Sequence, residues 1–398
     1  MKDRTEHKPL RPLGAFEQMF AGYGETNAMY FSIVAEVSGP MTELTLSKAV
    51  SQVAERHPLL QVSLGLDDES VSAFFPTQKP VQVTVSAVSS RPWQALVEQS
   101  LRYGPDSSLG PLWRVDAETD GNKTALVLTF HHSIADGISG IVVLEEVVAA
   151  LAGVEPEMAG LSASSDMLLG LPQPGFLFGP TPGLKDDKLL PTVRSLDFEA
   201  DEASEIFAAC KANGATVNSM LAVAFSRAHF QGPDLVHPTY RLMSPLNLKP
   251  TLAPADNVSL CISIALATFE DDRGDFWTAA RSFGDGLGKW KTLEMARGVH
   301  SGMAARLHED ATIEAAKRRL VEAIPFDSIL SNLGVVDVSG SYGEFTLERL
   351  WAPAIRSVPG QDTLGVATFK GALRIVHTGV EGDAGLLGRV ERILRALR

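Results

Sequence analysis

Cysteine is scarce: 398 residues contain only two, Cys210 and Cys261. Two isolated thiols cannot build a disulfide framework and match the usage of a reducing compartment, so a cytoplasmic protein is expected. Positive charge is also short. Lys and Arg number 35 against 48 Asp and Glu, a formal net charge of −13 with a pI near 5.2. Such a surface repels phosphate polyanions, and nucleic acid is not expected as a partner. Long hydrophobic runs without breakers are missing too. The uncharged stretch Met167 to Leu184 contains Pro172, Pro174, Pro180 and Pro182, which break a helix in lipid, so no transmembrane segment is expected. The opening residues MKDRTEHKPLRPLG lack the apolar core of a signal peptide, and a mature start is expected. What the chain does have is 45% apolar and 21% charged residues, enough to bury substantial cores; its length fits two domains.

Periodicity alternates between strand and helix along the chain. Phe31, Ile33, Ala35 and Val37 alternate as in a half-buried strand. Leu46, Ala49, Val50, Val53 and Ala54 recur at helical spacing up to Pro58. Further strands are expected at Val71 to Phe75, Trp113 to Glu118 and Thr124 to His131, with helices at Pro92 to Tyr103 and Ile138 to Ala152. From about Leu161 to Pro191 the periodicity fails and Gly, Pro and Ser accumulate, as in a crossover. The expected division is therefore residues 1–160, a linker at 161–191, and residues 192–398. The second part repeats the mixture: strands at Arg194 to Phe198, Thr239 to Asn247, Ser259 to Thr268, Ser328 to Val336, Leu347 to Leu350 and Thr368 to His377 lie among helices. The fold class is α/β.

The segment Thr124 to Gly137 holds the chemistry. An apolar strand runs directly into His131-His132-Ser-Ile-Ala-Asp136-Gly137. Neighbouring strand residues face opposite ways, so only one of the two histidines is expected to be chemical. A neutral imidazole, with an unperturbed pKa of about 6.5, is a natural general base for taking a proton from a hydroxyl or amine. Asp136 is placed to hold the loop or orient the ring, and Gly137 permits a tight turn or close approach of a ligand. Two other readings stay open on these residues alone: a hydrogen-bonded structural pair, or His132 and Asp136 as metal ligands. No HExxH, CxxC or Cys/His cluster accompanies them, so no metal is expected.

HHSIADG resembles the HHxxxDG signature of the acyltransferase superfamily that includes condensation domains, polyketide-associated alcohol acyltransferases and, more loosely, chloramphenicol acetyltransferase. Other segments are similar in the same order: Arg11 to Phe20, Glu55-Arg56-His57-Pro58-Leu59-Leu60, Gly110 to Arg114, Gly214 to Asn218, Ser244-Pro-Leu-Asn247-Leu-Lys249-Pro250, and Ser331-Asn332-Leu-Gly334. Two positions depart from the pattern. Gln61 stands where the family motif carries Arg, and Lys249 stands where an NLRP-like segment carries Arg, so neither position offers a guanidinium.

The resemblance implies two chloramphenicol-acetyltransferase-like domains in a V-shaped pseudo-dimer with a tunnel between them. It implies an acyltransferase that moves an acyl group from a thioester to an alcohol, with His132 as general base. Asp136 would be structural and paired with an Arg, for which Arg56, Arg114 and Arg241 are candidates. Gly137 would leave room for the donor, and Ser331, Asn332 or Ser244 would supply an oxyanion donor. No bound cofactor is implied. The co-substrate is acyl-CoA or a phosphopantetheine thioester on an acyl carrier protein, the acceptor is an alcohol or amine, and a monomer is expected. Alternatives are a free-standing condensation enzyme that forms an amide and an inactive scaffold member, although the intact His132 and Asp136 speak against the scaffold. Gly137-Ile-Ser139-Gly140 lacks the last glycine of a hydrolase elbow, and the glycine-rich Phe283 to Trp290 lacks phosphate-loop spacing and reads as a helix break. Lys289 to Arg319 has a local excess of three positive charges, through residues such as Lys317, Arg318 and Arg319. It is either a solvated helix face or a docking site for donor phosphates.

Overall fold

Thr42 and Thr45 form a reciprocal capping box that starts the first long helix, and Pro58 follows closely on its end. The computed structural model describes residues 8–23, 29–69, 71–88, 93–155, 157–173, 175, 191–232, 238–254, 256–271, 273–308, 325–356, 360–380 and 382–398. The first part of the chain forms β1 (Arg11–Pro12), α1 (Ala15–Tyr23), β2 (Tyr30–Ser38), α2 (Glu43–Arg56), β3 (Val62–Leu66), β4 (Ser72–Pro76), β5 (Gln82–Ala87), α3 (Trp93–Arg102), β6 (Trp113–Thr119), β7 (Lys123–His131), α4 (Gly137–Leu151) and α5 (Ser165–Leu168). It continues with β8 (Thr192–Phe198), α6 (Ala200–Ala212), α7 (Val217–Phe230), β9 (Thr239–Asn247), α8 (Lys249–Leu252), β10 (Ile262–Glu270), α9 (Phe276–Trp290) and α10 (Leu293–His308). Last come β11 (Ser328–Val335), β12 (Ser341–Tyr342), β13 (Phe345–Ile355), β14 (Asp362–Phe369), β15 (Ala372–Gly379) and α11 (Leu386–Ala396).

Two six-stranded sheets organise these elements. The first has the order β12-β13-β2-β7-β6-β5 and the second β10-β9-β11-β14-β15-β8, while β1, β4 and β3 make a small third sheet. α2 and α4 pack on the first sheet over a core that contains Phe31, Ile33, Ala35 and Val37. Those four residues do alternate, but β2 is covered on both faces: Tyr30 and Val34 pack with Val97, Trp351 and Val376. A strand expected to be half-buried is therefore central. The second core lies between its sheet and helices α6, α7, α9 and α11.

The two sheets do not follow the linear division of the chain. β12 and β13 come from beyond residue 192 yet pair beside β2 in the first sheet. The described part of the expected linker is firmly held: Ser162, Ser164, Ser165, Asp166 and Leu169 are buried, and the hydroxyls of Ser162 and Ser165 donate to the carbonyls of Val258 and Leu260.

Two local expectations are corrected. The glycines of Phe283 to Trp290 do not break a helix; they lie inside α9, because packing on the second sheet overrides their poor propensity. Thr368 to His377 is not one strand. Lys370 and Gly371, both with positive φ, turn the chain between β14 and β15, as a two-residue hairpin requires. Strands β3 and β5 are not among the expected elements, although Val62, Leu64 and Leu66 in one and Val81, Val83 and Val85 in the other alternate as strand residues do. Among the described residues no helix is long and apolar enough to cross a membrane.

Candidate active site

The HHSIADG segment joins β7 to α4. β7 stays in register with β2 as far as the Tyr30–His131 pair, and the amide of His132 still donates to Met29 O at 2.9 Å. The chain then turns, with Ile134 N bonded to His131 O, and Asp136 caps α4 by accepting from Ser139 N at 2.8 Å.

The two histidines have different surroundings. His131 accepts a hydrogen bond from Ser133 N at 3.1 Å through Nδ1, which also meets Ser133 Oγ at 2.7 Å, and its ring stands edge-on to Tyr30. It is tied into the loop, and burial pushes its imidazole down to about 3. His132 lies parallel to the ring of Phe20, with centroids 4.3 Å apart, and tilted against Phe31 at 4.8 Å. Its Nδ1 is buried without a well-formed hydrogen bond among the described residues. Burial pushes this imidazole down to about 4, against the backbone groups of His132 and Ala135 and the charge of Asp136, which favour the protonated form. Both rings are neutral at physiological pH, and His132 is the one whose Nδ1 is left without a well-formed hydrogen bond.

Sequence reasoning does not single out Phe20 as a site residue, although it ends the N-terminal motif Arg11 to Phe20. It shares an apolar cluster with Ile262 and Ile264 of β10 and Met303 of α10, so one side of the His132 environment is built from the second sheet's edge. α1 itself is held by a buried Arg11–Glu17 ion pair at 2.7 Å and by Asp166, which accepts from Ala15 N and faces His300.

Among the described residues, Asp136 pairs with no arginine. Arg56 is engaged by Glu146 and Asp256, Arg114 by Asp116 and Arg241 by Asp327. The cation beside Asp136 is Lys249, whose Nζ lies 3.4 Å from Oδ1, with both residues almost fully buried. Lys249 Nζ also donates to Ser139 Oγ at 2.6 Å and Asn257 O at 2.7 Å, and the second carboxylate oxygen accepts from Cys261 N at 3.0 Å. A buried ion pair is tolerable only when its remaining donors and acceptors are satisfied in this way. The NLKP segment, a departure at the level of the motif, thus retains the cation in another chemical form. It fastens the start of α4 to the loop before β10.

Of the second-half candidates, strand alternation separates one from two. On β11, Ile329, Ser331 and Leu333 share a face, and a Cβ added to Gly137 would come within 2.7 Å of Leu333 Cδ2. Gly137 thus makes room for Leu333, a contact within the protein. Ser331 lies on the face of the second sheet that turns towards the HHSIADG loop. Leu330 and Asn332 face the other way: Leu330 belongs to the second core and Asn332 Nδ2 donates to Asn218 Oδ1 of α7. Ser244 alternates with Leu242 and Leu246, also in that core. Asn332 and Ser244 are thus on the helix side of the second sheet.

The basic stretch is only partly within the described residues, and Lys317, Arg318 and Arg319 lie outside them. Arg297 and Arg306 donate to the carbonyls of Leu169 and Gly302, while Lys289 and Lys291 are exposed at the end of α9.

Comparison with known proteins extends this picture. The Condensation domain family matches residues 16–156. No curated protein sequence matches the chain. Among solved structures, the polyketide synthase associated protein 5 from Mycobacterium tuberculosis is similar at a TM-score of 0.70 and 18% identity, with 98% of each chain covered. The TRI3 trichothecene 15-O-acetyltransferase from Fusarium sporotrichioides gives 0.71 and 12%, covering 98% of this chain and 95% of that one. The first condensation domain of the CDA synthetase gives 0.68 and 15%, covering 98% and 96%. Sequence match and fold agree: residues 16–156 are similar to the Condensation domain family, and the chain has the chloramphenicol-acetyltransferase-like α/β fold of these structures.

Proposed function

We propose that the protein transfers an acyl group from a thioester to an alcohol, with His132 as general base. One observation carries this reading: of two adjacent buried imidazoles, only that of His132 leaves its Nδ1 without a well-formed hydrogen bond, while a closed network fixes the loop around it. His132 takes the hydroxyl proton as the alcohol oxygen attacks the thioester carbonyl. The C–O bond forms, the tetrahedral oxyanion collapses, the C–S bond breaks, and the imidazolium returns its proton to the departing thiolate. No acyl-enzyme is required. Ser331 donates to the oxyanion, a choice supported by the position of Asn332 and Ser244 on the other face of their sheet. Asp136 positions the loop and moves no proton. The donor is acyl-CoA or a phosphopantetheine thioester on a carrier protein, acting as co-substrate.

A second reading, amide formation from carrier-bound substrates, is favoured by the match of residues 16–156 to the Condensation domain. Both readings use the same base and differ in the acceptor. Pure protein incubated with a panel of acyl-CoAs, with alcohols and amines supplied in parallel, releases free thiol under either reading; only the first requires an alcohol. Thiol release that is independent of any acceptor, or that survives loss of the His132 imidazole, overturns both.

A further inference from the structure

The second lobe holds a cleft of about 860 Å³ between helices α7 and α9 and the β9–β10 edge of its sheet. No residue of the HHSIADG loop lines it. The cleft is open to solvent on one side, where Thr268, Asp275, Thr278 and Ser282 are exposed, and its depth comes from small side chains. They occur on both walls: Ala265 and Ala267 of β10 lie across from Ala279, Ser282 and Gly286 of α9. Positions 279, 282 and 286 are three and four residues apart and share one side of the helix. A Cβ added at Gly286 would meet nothing within 4 Å, whereas one at Gly284 would press on Ser219 Oγ at 2.8 Å. Gly284 is thus explained by its neighbour, whereas Gly286, which weakens the helix, faces open space among the described residues, as Gly288 of the same helix does, and Gly286 alone of the two lines the cleft.

A second observation is independent of the small side chains. Ser244, 4% exposed, lines the same cleft, and its hydroxyl has no hydrogen-bond partner among the described residues. Buried hydroxyls are normally satisfied, and an orphan at the wall of an open cleft is completed by water or by a ligand that displaces it. The charges at the rim balance: Arg227 and Lys289 stand against Glu270 and Asp275. Arg227 is already committed to Gly274 O at 2.6 Å and Asp275 to the Thr278 amide and hydroxyl. The rim therefore selects no net charge.

We propose that this cleft binds a neutral, largely apolar small molecule that presents one hydroxyl or carbonyl oxygen to Ser244. The site is distinct from the His132 loop, and the inference stands apart from the acyl-transfer reading. Titration of the full chain with 1-octanol and with octanoate, followed by heteronuclear NMR, tests it. Octanol is expected to saturate, and octanoate to bind at least ten-fold more weakly. Ser244→Ala should weaken octanol about 5- to 10-fold, the value of one hydrogen bond. Gly286→Leu should abolish binding while holding or raising the melting temperature, because it adds helix propensity as it fills the space; Ala267→Leu fills the cleft from the opposite wall. Failure of octanol to saturate, octanoate binding as tightly as octanol, an unchanged affinity in Ser244→Ala, or undiminished binding in a folded filling variant overturns the proposal. Thiol release is a separate measurement, so absence of acyl transfer leaves the binding result intact.

Discussion

At the start of α4 the buried hydroxyl of Ser139 donates to Ser259 O and accepts from both Ser259 N and Lys249 Nζ. On β9 the buried hydroxyl of Ser244 has no partner among the described residues. The first belongs to a network in which Asp136, Lys249 and the Cys261 amide complete one another; the second faces a cleft. Where every polar atom is satisfied from within, the protein is fixing its own geometry. Where one is left open beside a void, the missing partner comes from outside. The His132 ring lies between these cases: it is packed between aromatic faces, and its Nδ1 has no well-formed hydrogen bond.

The comparison can be broken most sharply at His132. His132→Ala is expected to lower thioester-dependent acyl transfer by roughly 10²–10⁴-fold with the melting temperature nearly kept, whereas His131→Ala should act mainly on stability. Rates and melting curves on both variants check this, and equal losses of activity would show that the wrong ring has been named. Next in size is Lys249→Met, which leaves the Asp136 carboxylate buried without its cation and should cost about 3–5 kcal/mol in a denaturant titration. Adding Asp136→Asn to that variant should restore part of the loss; no recovery would mean that the two side chains are not coupled.

Acid sharpens the contrast further. Burial lowers both imidazoles, to about 3 for His131 and about 4 for His132, so the unfolded chain binds these protons first. Their contribution to stability is full above the unfolded pKa of about 6.5 and is lost as pH falls towards 4 and 3, about 3 kcal/mol for His132 alone. Urea midpoints measured from pH 7 to pH 4 should fall more gently in His132→Phe than in the wild type. The smallest effects come from the paired serines. Ser139→Ala should cost about 1–3 kcal/mol by stranding three partners, while Ser244→Ala should leave the melting temperature equal or slightly higher. If both serines cost the same, their environments are not different in kind.

Much of this was legible in the sequence. The capping residues and apolar spacing of α2, the strands β2 and β7 and the break at Gly137 follow from local chemistry, and HHSIADG marks the loop on which the site is built. What failed depended on distance. The cation beside Asp136 lies in another lobe, and nothing local prefers Lys249 over Arg56, Arg114 or Arg241. Ser331, Asn332 and Ser244 look equivalent because a strand's pattern does not say which face of its sheet meets which neighbour. The glycines of α9 read as a helix break because propensity is local and the packing that overrides it is not. Phe20 could have been found from the motif that ends on it, but nothing in the motif tells that its ring lies on His132.

The return of β13 to the first sheet has a consequence for how the protein is made. β2 is apolar on both faces and needs β7 on one side and β13 on the other. A ribosome delivers the first partner early and the second only after residue 355 has been added. Until then the long edge of β2 is unpaired, a template for strands of other chains. Synthesis of most of the second lobe thus takes place while the sheet that carries His131 is incomplete, so the two lobes cannot mature one after the other as independent beads on a string.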